Sequence, residues 1–508
     1  MVFDDLTADN CYQVMTERDL RFDGHFFVGV RSTRIYCRPI CRIRLPNRGN
    51  CSFHRNAAAA EVAGFRPCLR CRPELAPGVV AIEWGQRVAA IAAQLIENGA
   101  TSSADFTEVA RQIGISNHDF LINFSHEFGV SPERFAETQR LLLAKRLLTD
   151  TRLPLAVVVA SSGFSSVRRM NSVFNARYRF SPSRLRLVAR PGIGNGTGQE
   201  TGCAASLTFV LPYRPPYDFD GLLKFLRDRA IPGVESVDET GYRRILRVTK
   251  VENGKAVETL EKIGWVEVTH RSARHAVELR CDDVFSSEVR LVLARTKQAF
   301  DLDADPAEID RVLGALATNT PGVHLPGTFD PFELAIRAIL GQQVTVKAAR
   351  TLVTRFVAAL GTPISTPFVD LNRAFPSVHH IAGLDPAVIA SLGIVRQRAE
   401  AIISLANAIG SGAIELAPTA EPTQTIELLC GIRGIGPWTA HYIAMRALAW
   451  RDVSLPGDVA LQNALGLPNT ARGIRAAHDQ ANEWRPWRSY AVLRLWLRRS
   501  IGQAPSAA

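Results

Sequence analysis

Apolar positions return with different rhythms in successive parts of the chain. From Val79 to about Arg190 they recur at helical spacing, with short turns and two similar sub-segments. From Ala204 to about Ala294 apolar and polar residues alternate, as on half-buried strands, around one helix-like stretch at Phe219 to Arg229. From there to Ile501 the period is helical again, and the first 78 residues stand apart by being rich in Cys and Arg. The run Arg190-Pro-Gly-Ile-Gly-Asn-Gly-Thr-Gly reads as a flexible linker, because Gly and small polar residues resist ordering. The expected organisation is a small α+β domain over 1–78, an all-helical domain over 79–190, a linker at 191–203, a small α+β unit over 204–294 and a helical domain over 295–508. The expected fold class is multidomain α+β, predominantly α.

Composition narrows the partners. A chain of 508 residues is too long for one core, and 46% apolar with 21% charged residues is ordinary for globular protein. Lys and Arg number 60 against 49 Asp and Glu, a net charge of +11 that suits a polyanion. No apolar run is long enough to span a bilayer, and Met1 to Leu20 has acidic residues and no apolar h-region, so no membrane partner and no export are expected. Of nine cysteines, Cys11, Cys37, Cys41, Cys51, Cys68 and Cys71 precede residue 80, and only Cys203, Cys281 and Cys430 follow. Such clustering without an export signal predicts a metal site in a reducing compartment, hence a cytoplasmic, nucleoid-associated protein.

Cys37-x-x-x-Cys41 and Cys68-x-x-Cys71 are two short-spaced pairs separated by 26 residues. Each spacing lets one turn present two sulfurs, and four thiolates suit tetrahedral Zn²⁺. On spacing alone, a zinc ribbon that only holds its fold is the better reading. Between Arg31 and Arg72, however, there are ten arginines and one acidic residue, Glu61, a pattern that suits a phosphate backbone. The strings Ile35-Tyr-Cys-Arg-Pro-Ile-Cys41 and Ala63-Gly-Phe-Arg-Pro-Cys-Leu-Arg-Cys71 resemble the N-terminal domain of the Ada family over most of residues 1–80. The resemblance implies that zinc-bound Cys37 takes a methyl group from a DNA methylphosphotriester. Zinc would keep the sulfur as thiolate. Methylating one of four thiolates would change the formal charge from −2 to −1 and weaken repulsion from DNA. Cys51 is expected to be a plain thiol, and His25 and His54 are the less favoured alternative ligands.

Phe106 to Phe124 has helix-turn-helix grammar: Ala110 where helices pack closely, Gly114 at the turn, Ser116 placed to cap the second helix. Val157 to Phe174 repeats it, with Arg140 to Leu148 as a connecting helix. The pair, ending in Phe180-Ser-Pro182, resembles AraC-type DNA-binding domains. It implies recognition helices near Ser116–Glu127 and Ser165–Ala176 entering successive major grooves, with Arg168 and Arg169 as base or phosphate contacts. In the first of these helices Asn117, His118 and Asp119 stand where such families usually place basic residues.

The most specific motif is Leu429-Cys-Gly-Ile-Arg-Gly-Ile-Gly-Pro-Trp-Thr-Ala440. Gly434 and Gly436 permit a tight hairpin between helices, whose bare N–H groups can hold a DNA phosphate. Leu455-Pro-Gly-Asp458 follows, and with Pro215-Pro-Tyr-Asp218, Phe332 to Gln342 and Trp484 to Tyr490 it makes Leu207 to Leu497 resemble helix-hairpin-helix glycosylases, most closely the AlkA group of 3-methyladenine glycosylases. The resemblance implies Asp458 as catalytic carboxylate, a base pocket lined by Trp438, Tyr442 and Trp496, and a monovalent cation at the hairpin. Gln343 stands where relatives place an apolar wedge that fills the gap left by a flipped base. An alkylated base is already a good leaving group, so a carboxylate can suffice by stabilising an oxocarbenium-like sugar or orienting water. Electron-rich indoles attract a cationic base, by roughly 0.5–2 kcal/mol each. Trp484 and Trp487 are assigned to the core.

Lys347 is the last lysine, which leaves no Schiff-base nucleophile near the hairpin and predicts a monofunctional glycosylase without lyase chemistry. Cys430 is the one cysteine of this domain, too few for a four-cysteine iron–sulfur cluster. The Pro-Cys-His-Arg string of the alkylguanine-repair domain often found with Ada proteins does not occur. Two function classes follow. One is a DNA-alkylation repair glycosylase joined to a zinc–cysteine methyl acceptor and regulator, a monomer on double-stranded DNA. The other is a zinc-containing transcription regulator whose C-terminal half only binds DNA. Base release lost in Asp458→Asn separates them.

Overall fold

A computed structural model describes residues 7–78, 91–93, 95–96, 103–189, 206–252, 255–455 and 457–502. The linker expected at 191–203 lies outside the described residues, as does 79–90, where the helical segment is expected to begin. About 52% of the structure is helical, in keeping with the predominantly α expectation. The chain forms two compact units: Met1–Pro215 with Arg271–Lys297 and Leu302–Asp305, and Pro216–His270 with Gln298–Asp301 and Pro306–Ala508. Among the described residues no helix is long and apolar enough to cross a membrane.

The first unit opens with α1 (Ala8–Glu17), whose N-cap Thr7 accepts from Asn10 N. A four-stranded sheet follows, in the order β3-β1-β2-β4: β1 (Phe27–Val30), β2 (Ile35–Cys37), β3 (Cys51–His54) and β4 (Arg66–Pro67). β1 is antiparallel to β2 and β3, whereas β2 and β4 run parallel, Tyr36 opposite Pro67. That register brings Cys37 and Cys68, the next residue of each strand, out at the same end of the sheet. The short α2 (Ala57–Val62) lies between β3 and β4 in sequence, capped by Asn56.

Six helices carry the expected double motif: α3 (Ser103–Ile113), α4 (Asn117–Phe128), α5 (Pro132–Asp150), α6 (Leu155–Ser161), α7 (Val167–Tyr178) and α8 (Pro182–Ala189). Gly114 and Gly163 make the two turns with φ of +78° and +77°, where an L side chain would be strained. Ser116 accepts from Asp119 N at 3.1 Å, and Ser166 from Arg169 N at 3.1 Å, so each recognition helix starts on a serine cap. The connecting helix α5 is longer than Arg140 to Leu148, and it buries charge as well as leucines: Lys145 Nζ donates to Glu74 Oε2 at 2.5 Å. β5 (Ser206–Pro212) shows the predicted alternation, with Leu207, Phe209 and Leu211 buried, and pairs antiparallel with β9 (Ala276–Asp282).

In the second unit α9 (Phe219–Arg227), capped by Asp218, precedes an antiparallel meander of β6 (Glu235–Val237), β7 (Gly241–Glu252) and β8 (Lys255–Arg271). α10 (Val289–Ala299) belongs to the first unit for all but its last two residues; in the second, α11 (Pro306–Leu313) leads to α12 (Pro331–Leu340), α13 (Val346–Leu360), α14 (Val378–Ala382), α15 (Pro386–Ala390), α16 (Arg396–Gly410), α17 (Pro422–Cys430) and α18 (Pro437–Ala447). Ile336, Ile339, Phe356, Ile402, Leu405, Leu429 and Ile443 form one apolar core among them. α19 (Val459–Ala464), α20 (Ala471–Ala481) and α21 (Arg488–Gly502) complete the unit. Trp484 and Trp487 are buried, as assigned.

Candidate functional site

The four cysteine sulfurs at 37, 41, 68 and 71 lie within 4.8 Å of one another. A tetrahedral zinc with Zn–S bonds of about 2.3 Å has sulfur–sulfur edges of roughly 3.8 Å, so the quartet fits that ion with little adjustment. Sharing hydrogen bonds with Cys41 pushes the Cys37 thiol far above its ordinary value, while hydrogen bonds from Cys37 and Cys41 hold Cys68 far below its own. Four thiolates this close need a divalent cation to coexist. The backbone N–H of Arg38 donates to Cys71 Sγ at 3.4 Å. Cys51 is buried against Cys11 and Phe26, apart from the quartet. His25 faces Asp305 at 3.2 Å and His54 meets Ser52 Oγ at 3.0 Å, so neither alternative ligand joins the sulfurs.

The arginine-rich stretch divides in two. Arg31, Arg34, Arg42, Arg44 and Arg70 are exposed and available to a polyanion. Arg38 is instead buried on Asp23, with Nε donating at 2.8 Å, and Arg72 is taken up by Glu74 and Asp150. The one acid of the stretch, Glu61, is buried and serves as a hub. It accepts from Tyr36 and Tyr178 hydroxyls at 3.2 Å each and from Thr138 at 3.1 Å, joining β2, α7 and α5. Burial, only partly offset by Arg177 and these hydroxyls, pushes its carboxyl up to about 7.

On α7, Arg168 and Arg169 are exposed near the helix start, and Arg169 pairs loosely with Glu137 at 3.8 Å. The corresponding face of α4 shows Asn117, His118, Asp119, Ile122 and Asn123, with no arginine or lysine.

In the second unit Asp458 caps α19, accepting from Leu461 N at 2.7 Å on Oδ1. Its carboxylate also accepts from both expected indoles: Trp438 Nε1 at 2.9 Å on Oδ2, and Trp496 Nε1 at 3.3 Å on Oδ1. Asp458 is 7% exposed, and these donors satisfy a charge that would otherwise be costly to bury. Tyr442 stacks on Trp438 with centroids 5.3 Å apart and planes 7° off parallel, and meets Trp496 at 6.4 Å and 42°. The structure therefore gathers Asp458, Trp438, Tyr442 and Trp496 from α18, α19 and α21 into one slot.

Several supporting residues had no distinct sequence signal. Arg446, one helical turn after Tyr442, donates to its hydroxyl at 2.8 Å and is anchored on Pro326 O and Gly327 O. Burial alone would raise the Tyr442 phenol, but Arg446 and Arg229 outweigh it and hold the phenol below its ordinary value. Gln342 donates to Gly434 O at 2.9 Å and to Thr439 at 3.0 Å, while Arg398 donates to Gln342 O at 2.6 Å. This brace ties the end of α12 to the hairpin. Gly434 has φ +98°, and Gly436 opens α18 with nothing within 4 Å of where a Cβ would stand, so its backbone is approachable. Gln343, exposed and next to the brace, has φ +53°, an unusual conformation for a non-glycine residue. Gln462 is 1% exposed with no partner for either amide atom among the described residues, and nothing else in the structure explains it.

A sulfur quartet for zinc, a double helix-turn-helix and a carboxylate–indole slot beside a glycine hairpin define a DNA-repair glycosylase of the helix-hairpin-helix class carrying a regulator's DNA-binding modules. The chain belongs to the family of bifunctional transcriptional activator/DNA repair enzymes of the AlkA type. Family models match in succession the metal binding domain of Ada (residues 10–74), a helix-turn-helix domain (109–187), the AlkA N-terminal domain (208–330) and the HhH-GPD superfamily base excision DNA repair protein (336–482). The chain is 34% identical over 510 aligned positions to a probable bifunctional transcriptional activator/DNA repair enzyme AlkA of Mycobacterium tuberculosis, covering 98% of each. It is 34% identical over 288 residues to DNA-3-methyladenine glycosylase 2 of Escherichia coli K12, covering 57% of this chain and 96% of that one. Over 71 residues it is 52% identical to the bifunctional transcriptional activator/DNA repair enzyme Ada of the same organism, covering 14% of this chain and 20% of that one. It is thus a DNA-binding hydrolase of the glycosylase type with a zinc-binding cysteine module.

Proposed function

We propose that this protein excises alkylated bases such as 3-methyladenine from double-stranded DNA, by monofunctional hydrolysis of the N-glycosidic bond. The observation that carries the reading is the Asp458 carboxylate held by the N–H groups of both Trp438 and Trp496 beside Tyr442. In this reading Asp458 stabilises the oxocarbenium-like sugar or orients water on it, and Tyr442 with the two indoles receives the flipped base. Gln343 fills the gap in the duplex. The hairpin of Gly434 and Gly436, its backbone open at Gly436, holds a phosphate, with a monovalent cation shared there. Excision assayed across methylated and deaminated bases tests this, with Asp458→Asn as control. A wild-type protein that releases no base would leave the regulator-only alternative standing.

At the other centre Cys37 is the methyl acceptor. Its sulfur attacks the methyl carbon of a neutral phosphotriester, the C–O bond breaks, and its electrons stay on the phosphate oxygen as a diester anion. Zinc, when bound, keeps all four sulfurs as thiolates. The loss of one negative charge from the quartet favours DNA, and exposed Arg42, Arg44 and Arg70 add to that attraction. Arg168 and Arg169 on α7 are the DNA contacts of the second recognition helix, and α4, which carries no arginine or lysine, contributes less. A mass gain of one methyl after incubation with methylphosphotriester DNA, absent in Cys37→Ser, is expected; unchanged mass overturns this half alone. The division at 78, 190, 203 and 294, a monomeric state and a place on the nucleoid in the cytoplasm belong to the same proposal.

A further inference from the structure

We infer that the indole N–H groups of Trp438 and Trp496 are positioning groups for Asp458, a role separate from anything their ring faces do for a base. The inference rests on reading Asp458 as the catalytic carboxylate. A carboxylate offers about four lone-pair sites. Leu461 N and Trp496 Nε1 take two on Oδ1, and Trp438 Nε1 takes one on Oδ2. Three of the four are thus directed by protein donors, and the fourth, on Oδ2, is left for a reacting sugar or water.

The chemistry of these donors matters as much as their number. All three are neutral, and among the described residues no Lys, Arg or His lies within ion-pair distance of Asp458. A guanidinium in the same place would orient the carboxylate and also cancel its charge. Indole N–H groups orient it and leave the charge for the cation that develops on the sugar.

Ring geometry supports this separate role, above all for Trp438. A base stacked between two parallel rings needs about 7 Å between them, two contacts of roughly 3.5 Å. Trp438 and Tyr442 stand at 5.3 Å and nearly parallel, so the Trp438 face toward Tyr442 is closed to a base. The wider, inclined gap is between Tyr442 and Trp496, at 6.4 Å. On the side of Tyr442, Trp438 therefore acts on the site through its N–H and through the tyrosine it backs.

Trp438→Phe and Trp496→Phe keep an aromatic ring and remove the donor. Single-turnover excision should fall about ten- to hundredfold in Trp438→Phe, the scale of one hydrogen bond to a charged group. KM and the affinity for DNA bearing an uncleavable abasic analogue, which presents no base to the rings, should stay within about threefold. Trp496→Phe, with its longer bond, should fall less. In an Asp458→Asn background Trp438→Phe should add nothing, because its effect runs through the carboxylate. Trp438→Phe at wild-type rate while Asp458→Asn is inactive overturns the inference and spares the catalytic reading; an active Asp458→Asn overturns both. A rate loss in Trp438→Phe that persists in the Asp458→Asn background, or that comes with lost abasic-DNA affinity, also overturns it.

Discussion

The zinc–cysteine quartet and the Asp458 slot both hold an anionic reactive group under cover, and they do it in opposite ways. The quartet gathers four like groups within 4.8 Å from two short turns at the end of a small sheet, and only a cation lets four sulfurs be thiolates together. The slot holds one carboxylate with three neutral donors, delivered by three helices of which α18 rests on an extensive apolar core. Hence the first centre depends on an ion for its shape, and the second depends on packing. The first is altered by the methyl it would accept, whereas the second is returned unchanged by hydrolysis.

The sharpest way to separate the two is to remove the ion. A strong chelator should unfold the module over residues 10–74, since zinc binding at such sites is on the order of 10 kcal/mol of folding free energy. Hydrogen exchange should then show β1 to β4 unprotected, while base release changes by less than about twofold. A parallel loss of base release would mean that the centres are not independent. Next in size is Asp458→Asn, expected to slow excision about a thousandfold without unfolding the protein, because asparagine still caps α19. Methyl uptake at Cys37 should be untouched, which mass spectrometry of the same preparation would report.

A smaller effect comes from Glu61. Its folded pKa of about 7 exceeds the ordinary 4.5, so the folded state binds the proton more tightly than the unfolded chain. Its contribution is therefore fully present below about pH 4.5 and is lost as pH rises through 7. Relative to wild type, Glu61→Gln should gain stability between pH 5 and 8, by on the order of 2 kcal/mol, read as a widening difference in melting temperature. A pH-independent difference would show that Glu61 is already ionised when folded. Smallest is Gly434→Ala, which puts a Cβ at φ +98° and 3.2 Å from Ala401 Cβ. It should cost about 1–2 kcal/mol and weaken DNA binding at the hairpin, with the zinc module unaffected in a binding isotherm on methylphosphotriester DNA.

The contrast also explains what could be read in advance. Cys37, Cys41, Cys68 and Cys71 are set by local spacing, so the quartet was legible before any fold was known. The serine caps and glycine turns of the two helix-turn-helix motifs were legible for the same reason. Asp458, Trp438, Tyr442 and Trp496 were found through motif resemblance, yet their bonding was not: a hydrogen bond across 38 residues leaves no periodic trace. Composition also overstated the arginine patch, because Arg38 and Arg72 face internal acids that only the tertiary structure brings near. The roles of Arg446 and of Gln342, the last residue of the Phe332 motif, leave no trace in the sequence because their partners are a phenol and a hairpin carbonyl supplied by packing.

Glu61 has a consequence for how such a protein can be recombined. Its three hydroxyl partners come from β2, α5 and α7, so the cysteine-bearing segment and the helical segment share one buried joint. A chimera that grafts the first onto a foreign second would leave that acid with Tyr36 alone of its three hydroxyl donors, and would need a matching tyrosine and threonine, or a neutral residue at 61, to fold. The two segments are separable as text, but the joint obliges them to be inherited, or redesigned, as a pair.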